Sequence, residues 1–138
     1  MKINLTCAIA LASGLIAGNA LALDTSKTIL CASLDVFECV VGETCNAVLP
    51  EDVGAPTFLW IDIEDKEVRA SVQGRASQID HIEEVEDRLV LQGVEDGRED
   101  ENDGTGWTIS IGQQTGRMVG TAAASDAAIV IFGACTEV

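Results

Sequence analysis

The chain has 138 residues, of which 23 are Asp or Glu and eight are Lys or Arg, and its formal net charge at pH 7 is −15. So large a negative charge repels phosphate groups and anionic membrane surfaces, which argues against binding to nucleic acid or to an anionic membrane. The length suffices for one domain with a buried core and leaves no room for a second.

The first 22 residues have the layout of a bacterial secretory signal peptide. Lys2 precedes an apolar run over residues 5–17, and residues 20–22 (Ala-Leu-Ala) form a small-residue cleavage site. The run is shorter than the roughly 20 apolar residues that span a bilayer. We therefore expect residues 1–22 to be removed and residues 23–138 to form a single β-domain without a transmembrane segment. We expect this domain in the periplasm or outside the cell.

The domain after the signal peptide contains four cysteines, and in an oxidising compartment four cysteines usually form two disulfides. They are Cys31, Cys39, Cys45 and Cys135. We favour Cys39–Cys45, because Gly42 can turn the chain back within that short ring. The remaining pair, Cys31–Cys135, would then tie the start of the fold to its last strand. The other two pairings remain open. The spacings do not match the short C-x2–4-C motifs of zinc sites, and no C-x-x-C redox motif is present.

The first part of the domain is ambiguous, and a clear strand pattern begins near residue 57. Residues 27–41 are compatible with a strand or with a short helical turn. In residues 57–63 apolar side chains alternate on one face, at Leu59, Ile61 and Ile63. After a turn at residues 64–65, residues 66–73 alternate again, with Val68, Ala70 and Val72 on one face. This pattern predicts a hairpin with one solvated face.

The rest of the chain predicts further strands joined by short polar turns. Residues 77–85 and 88–94 form a pair, although the first alternates poorly, and an acidic loop over residues 95–106 follows. The next strand has Trp107, Ile109 and Ile111 on one face, and the one after it has Met118, Gly120 and Ala122. Residues 127–135 are apolar on both faces, which predicts a central or closing strand.

Together these segments predict an all-β fold stapled by disulfides. We expect an antiparallel up-and-down meander of about seven or eight strands, closed into a small barrel, with a β-sandwich as the alternative. Closure would hide the sheet edges, and the Cys31–Cys135 disulfide would hold the seam.

Carboxylates are concentrated between residues 80 and 103, which suggests calcium. An EF-hand is rejected, because Thr105 stands where the loop needs glycine and Ile111 where it needs a bidentate glutamate. An irregular calcium loop within residues 95–106 stays a hypothesis, and no metal ligand or cofactor is assigned.

Catalysis finds little support in the sequence. His81 is the sole histidine, so a Ser–His–Asp arrangement would have to use it, and neither a G-x-S-x-G elbow nor an S-x-x-K motif is present. No catalytic residue is assigned. His81 lies among acidic residues, and Trp60 shares a strand face with Asp62 instead of Leu59. We regard Trp60 and His81 as candidates for ligand or partner contact. Trp107 fits either the core or the wall of a pocket.

The function that the sequence favours is a non-catalytic binding module, either a carrier of a small ligand or an inhibitor-like partner of another envelope protein. This expectation depends on the suitability of a small stapled β-scaffold for presenting loops. A small hydrolase using His81 or acidic residues, and a calcium-tuned structural component of the envelope, are the alternatives.

Overall fold

The computed structural model describes residues 22–95 and 104–138. Within these ranges the chain forms ten β-strands, one short 3-10 turn at Pro50–Val53 and no α-helix. The strands are β1 (Ile29–Val40), β2 (Asn46–Val48), β3 (Phe58–Asp62), β4 (Glu67–Arg69), β5 (Ala76–Gln78), β6 (His81–Val85), β7 (Arg88–Glu95), β8 (Thr105–Gly112), β9 (Arg117–Ala123) and β10 (Ala127–Glu137). The expectation of an all-β protein is confirmed.

The strands form one antiparallel sheet that curls into a half-barrel. Nine of them follow the order β5-β4-β3-β1-β10-β9-β8-β7-β6, and β2 pairs with β1 beside this path. The predicted meander is present in two runs, β3 to β5 and β6 to β10. The order is not strictly up and down, because β1 lies between β3 and β10. The described residues therefore form a single curled sheet, in contrast to the two sheets of a sandwich.

The pairing of β1 with β10 joins the two halves of the sheet. Its register runs from Ile29 opposite Glu137 to Val40 opposite Ala127, with an irregularity between Ser33 and Asp35. Such a bulge adds a residue to one strand and reverses the faces of the residues that follow. This reversal explains why alternation in residues 27–41 did not distinguish a strand from a helical turn. As predicted for a central strand, β10 is paired on both sides.

Both disulfides have the pairing that the sequence favoured. Cys31 and Cys135 lie directly opposite each other on β1 and β10, and their sulfurs are bonded. Cys39 and Cys45 are bonded across the turn after β1, where Gly42 has φ +82°. The first disulfide secures the long ladder between β1 and β10 in the middle of the sheet path, so the expectation that it would hold a seam is wrong. The second secures a local turn.

The two ends of the sheet path belong to one stretch of chain, residues 76–85. Its first part pairs with β4, and the N–H of Ile79 donates to the carbonyl of Lys66 at 2.8 Å. Its second part pairs with β7, and the N–H of Asp80 donates to the carbonyl of Gln92 at 2.9 Å. One extended segment thus changes partner at this corner and belongs to both ends of the curled sheet. The change of partner also accounts for the poor alternation of residues 77–85.

The strand predicted over residues 66–73 is shorter than expected. Only Glu67–Arg69 is extended and paired, and Val68 is buried as predicted. Ala70 is exposed and Val72 is 65% exposed, so the prediction for these two residues is wrong. The chain leaves the sheet after Arg69 to reach the corner. Alternating short apolar residues also occur in such a turn, and the pattern alone does not separate the two.

The core fills one end of the half-barrel. Its largest fully buried side chains come from strands β1, β3, β7, β8 and β9, and they include Ile29, Ile61, Leu89, Leu91, Ile111 and Met118. Burial of each such side chain contributes about 1.5–3 kcal/mol to stability. The inward faces of β8 and β9 agree with the sequence-based prediction, because Ile109, Ile111 and Met118 are all buried.

Candidate functional site: the open end of the half-barrel

The inward side chains of β7 change from large and apolar to small and then polar along the strand. Leu89 and Leu91 are fully buried, Gly93 follows without a side chain, and Glu95 has a side chain 40% exposed. Since alternate residues of a strand face the same side, these positions form one inward row. The half-barrel is therefore filled at the end near Leu89 and open at the end near Glu95.

The open end contains a cavity of about 440 Å³. Its walls are mainly apolar and come from the inward faces of β3, β4, β8 and β10, together with the segment around the 3-10 turn. The apolar side chains include Val53, Leu59, Val68, Ile109, Ile129 and Ile131. The closed end of the barrel is occupied by Leu, Ile and Met, whereas at this level β9 contributes Gly120 and Ala122, whose small size leaves the space empty.

Gly120 is a buried wall position on β9 at which an added side chain would enter the cavity. A Cβ built there would meet no atom closer than the Cβ of Ile131, at 3.7 Å, which is ordinary van der Waals contact. Gly106, on the neighbouring strand β8, would have nothing within 4 Å of an added Cβ and is exposed. These two glycines differ in direction, since one lines the cavity and the other faces solvent.

Four polar side chains form a hydrogen-bonded chain at the mouth of the cavity. The indole Nε1–H of Trp107 donates to Ser77 Oγ at 3.2 Å. The hydroxyl of Ser77 donates to one oxygen of the Glu95 carboxylate, and Arg75 forms an ion pair with the other. We call these residues the mouth cluster. It connects β5 and the residue before it to β7 and β8, and so its side chains link one end of the curled sheet to strands near the other end.

The mouth cluster fixes the positions of its own side chains and adds little to the stability of the fold. The side chain of Arg75 is 67% exposed, and ion pairs this exposed typically contribute less than about 1 kcal/mol. The effect of the cluster is to hold a carboxylate, a hydroxyl and an indole ring around one rim of an apolar cavity.

Trp107 forms part of the cavity wall, which is one of the two roles that the sequence left open for it. It is half-buried and lies opposite Gly93 in the β7–β8 pairing. A Cβ at Gly93 would collide with the indole ring and with the carbonyl oxygen of Gln78. A glycine within a strand marks close approach by another group, so Gly93 was the sequence feature from which this contact could have been found. Arg75, Ser77 and Glu95 had no comparable feature.

Trp60 lies outside the cavity, on the outer face of β3. Its ring centroid is 6.2 Å from that of Phe58, and it borders a shallow cleft of about 170 Å³ with Asp62 and Arg69. This is the face that the sequence predicted, since the neighbours Leu59 and Ile61 are buried. A contact role for Trp60 stays a prediction.

His81 is exposed on β6, away from both clefts. Its Nε2 lies 3.5 Å from a carboxylate oxygen of Glu83, which is equally exposed. The structure does not bring His81 and Trp60 into a common site. A contact role for His81 also stays a prediction.

The outer face also carries an apolar area across β1, β9 and β10. The rings of Phe37 and Phe132 pack edge to face with centroids 6.0 Å apart, and Val119 lies opposite Phe132 in the β9–β10 pairing. Phe132 is 43% exposed and Val119 36%. We call Phe37, Val119 and Phe132 the outer apolar face.

Two of the sequence-based hypotheses fall largely on residues outside the described ranges. The signal peptide covers residues 1–22, of which the structure describes only the last, and the central part of the acidic loop, residues 96–103, is also not described. Over residues 22–95 and 104–138 no three His, Cys, Asp or Glu side chains are grouped as metal ligands would be. Calcium binding by residues 95–106 therefore stays a prediction.

Comparison of the chain with protein-family models, with curated proteins and with solved structures finds no match. In the described part of the chain no helix has the length and apolar character needed to cross a membrane. The two disulfides are consistent with an extracellular or secreted location, because disulfides persist in oxidising compartments.

Proposed function

We propose that the protein is an exported, non-catalytic carrier that binds a small, largely apolar ligand at the open end of the half-barrel, in the periplasm or outside the cell. The observation that supports this proposal is the cavity of about 440 Å³ with apolar walls and a few polar groups at one rim. Cavities of roughly 300–1,000 Å³ with this distribution of groups are typical of small-ligand sites.

The same cavity offers little for hydrolysis. Histidine-assisted nucleophilic catalysis needs a hydroxyl or thiol within hydrogen-bonding distance of an imidazole. The hydroxyl of Ser77 is bonded to Glu95, and the sole histidine, His81, is exposed on β6 and does not line the cavity. A carrier therefore agrees with the arrangement better than a hydrolase that uses His81 does.

The carrier proposal is tested by filling the cavity. N-phenyl-1-naphthylamine, whose fluorescence rises in apolar surroundings, is titrated into the wild type and into two variants that gain the same side chain, Gly120→Val and Gly106→Val. We expect Gly120→Val to weaken dye binding at least about tenfold, a change of about 1.4 kcal/mol. Gly106→Val should bind as the wild type does, since its new side chain faces solvent.

Melting temperatures recorded alongside test whether both variants are folded. Equal dye binding by Gly120→Val and the wild type would contradict the proposal, as would the absence of any binding by the wild type. Native mass spectrometry of protein exported to the periplasm adds an independent measurement. A retained small molecule, displaced in Gly120→Val, would identify the natural ligand by its mass.

A second function, docking onto another envelope protein as an inhibitor-like partner would, is favoured by the outer apolar face. Exposed aromatic and aliphatic residues that cluster on a sheet are typical of protein contacts. A photo-crosslinking residue at Phe132 should form one discrete adduct in the periplasm. The same residue at Val94, which is 62% exposed and lies outside this face, is the control. Identical adduct patterns at the two positions would remove this second candidate.

A further inference from the structure

We propose that the ligand of the cavity is amphipathic and has a positively charged, amine-type head group that binds the carboxylate of Glu95. This inference rests on the proposed carrier function and adds the chemical class of the ligand. Its apolar part would lie against Ile109 and Ile131, and its head group would lie at the mouth cluster.

The distribution of burial sets the orientation of such a ligand. Ile109 is 5% exposed and Ile131 7%, whereas the side chain of Glu95 is 40% exposed. The wall is thus dry near the core and more hydrated at Glu95 and Arg75. An amphipathic molecule gains from burying its tail at the dry end and leaving its head group partly hydrated at the wet end.

Glu95 is the acceptor on which the hydrogen bonds of the mouth cluster converge. Ser77 donates to one carboxylate oxygen and Arg75 to the other, and an ionised carboxylate offers about four lone-pair sites. An ammonium group can therefore add a hydrogen bond to Glu95 without displacing Ser77 or Arg75. A carboxylate head group would bring a second negative charge against Glu95.

The charge of the whole chain acts in the same direction. Arg75 and Glu95 neutralise each other, so the mouth cluster itself has no net charge, whereas the formal net charge of the chain is −15. The summed field of such a protein raises the local concentration of cations and lowers that of anions at an open cavity. Both the local acceptor and the long-range field therefore favour an amine over a carboxylate.

Three probes with the same tail and different head groups test the inference. Dodecylamine, dodecanol and dodecanoate are used at pH 7, below their aggregation concentrations, to displace N-phenyl-1-naphthylamine from the wild type. Hydrogen bonds to charged groups are stronger than neutral ones, so we expect dodecylamine to bind at least about tenfold more tightly than dodecanoate, with dodecanol between them.

Glu95→Gln separates the local contact from the general charge. Its matched control is Glu67→Gln, because Glu67 also forms an ion pair with an arginine, Arg69, but lies outside the cavity. Both variants remove one negative charge. We expect the preference for dodecylamine to fall at least about threefold in Glu95→Gln and to stay near the wild-type value in Glu67→Gln. Arg75→Gln should change the preference in the opposite direction, by strengthening dodecylamine binding.

The outcomes distinguish this inference from the carrier proposal. If all three probes displace the dye with equal affinity, or if dodecanoate binds most tightly, the inference is overturned and the carrier proposal stands. If none of them displaces a dye that the wild type binds, the inference is overturned, whereas both proposals fail if the wild type binds neither the dye nor any probe. If Glu67→Gln lowers the preference as much as Glu95→Gln does, the preference reflects overall charge and the assignment to Glu95 is wrong. Opposite shifts in Glu95→Gln and Arg75→Gln support it even if one of these variants is less stable.

Discussion

Removal of the Cys31–Cys135 disulfide should cost much more stability than removal of Cys39–Cys45. The two bonds join residues that are 104 and 6 positions apart in the chain. A disulfide restricts the unfolded chain, and on the chain-entropy model the stabilisation grows with the logarithm of the enclosed length. That model gives about 4.7 kcal/mol for the long loop and about 2.4 kcal/mol for the short one at 25 °C. The expected difference is therefore about 2.3 kcal/mol.

Urea unfolding followed by tryptophan fluorescence measures this difference. Two double variants are compared. The first carries Cys31→Ala and Cys135→Ala, and the second carries Cys39→Ala and Cys45→Ala. For a domain of this size the slope of the unfolding free energy is about 1–3 kcal/mol per molar urea. The midpoint of the first variant should therefore lie about 1–2 M below that of the second.

Burial of Cys31 adds to the expected difference in stability between the two variants but is not its main cause. Cys31 is fully buried, so its replacement by alanine also removes packing at the sulfur. The single variant Cys135→Ala, which lacks the bond but keeps the Cys31 side chain, is the control for that contribution. Equal midpoints for the two double variants would refute the argument from loop length, as would a lower midpoint for the variant without Cys39–Cys45.

Three further predictions follow from packing and from one pKa. Gly93→Ala should lower the stability of the fold by about 1–3 kcal/mol, because the new methyl group collides with the indole ring of Trp107. Gly106→Ala should change it by less than about 0.5 kcal/mol, and thermal denaturation compares the two variants. Leu89→Ala should cost about 2–5 kcal/mol in urea unfolding, since the side chain is fully buried, and a loss below 1 kcal/mol would show that the closed end is not packed. The Ser26 hydroxyl and N–H bind the Asp24 carboxylate and hold the pKa of Asp24 below its ordinary value of 3.8. The contribution of the ionised Asp24 carboxylate to stability is present above pH 3.8 and is lost as the pH falls through the lower pKa of the folded state. Ser26→Ala should therefore move the pKa of Asp24, measured by NMR titration, back towards 3.8.

Several parts of the fold were predictable because their periodicity agrees with their packing. On β8, Trp107, Ile109 and Ile111 alternate in the sequence and face inward in the structure. The apolar character of β10 on both faces correctly indicated a strand with neighbours on each side. The disulfide pairing that the turn at Gly42 favoured is the one in the structure.

Other parts were not predictable, because alternation in the sequence shows on which face of a strand a residue lies but does not show with which strand it pairs. The bulge between Ser33 and Asp35 reverses the faces of β1 midway, so its alternation is broken. Residues 76–85 change partner at a corner, and no local pattern marks such a change. The open cavity depends on the small residues of β9, because Gly120 lies opposite Ile109 and Ala122 lies opposite Trp107. These positions are set by the register between strands, which is a property of the assembled sheet.

The covalent link between β1 and β10 has a consequence for proteolysis. Because Cys31 and Cys135 are bonded, any single peptide-bond cleavage between them leaves two fragments that remain one covalent molecule. The cut ends can separate, but the strands on either side of the β1–β10 ladder cannot diffuse apart. A protein cleaved once by an extracellular protease would therefore migrate as one species in gel electrophoresis until a reductant separated its two fragments.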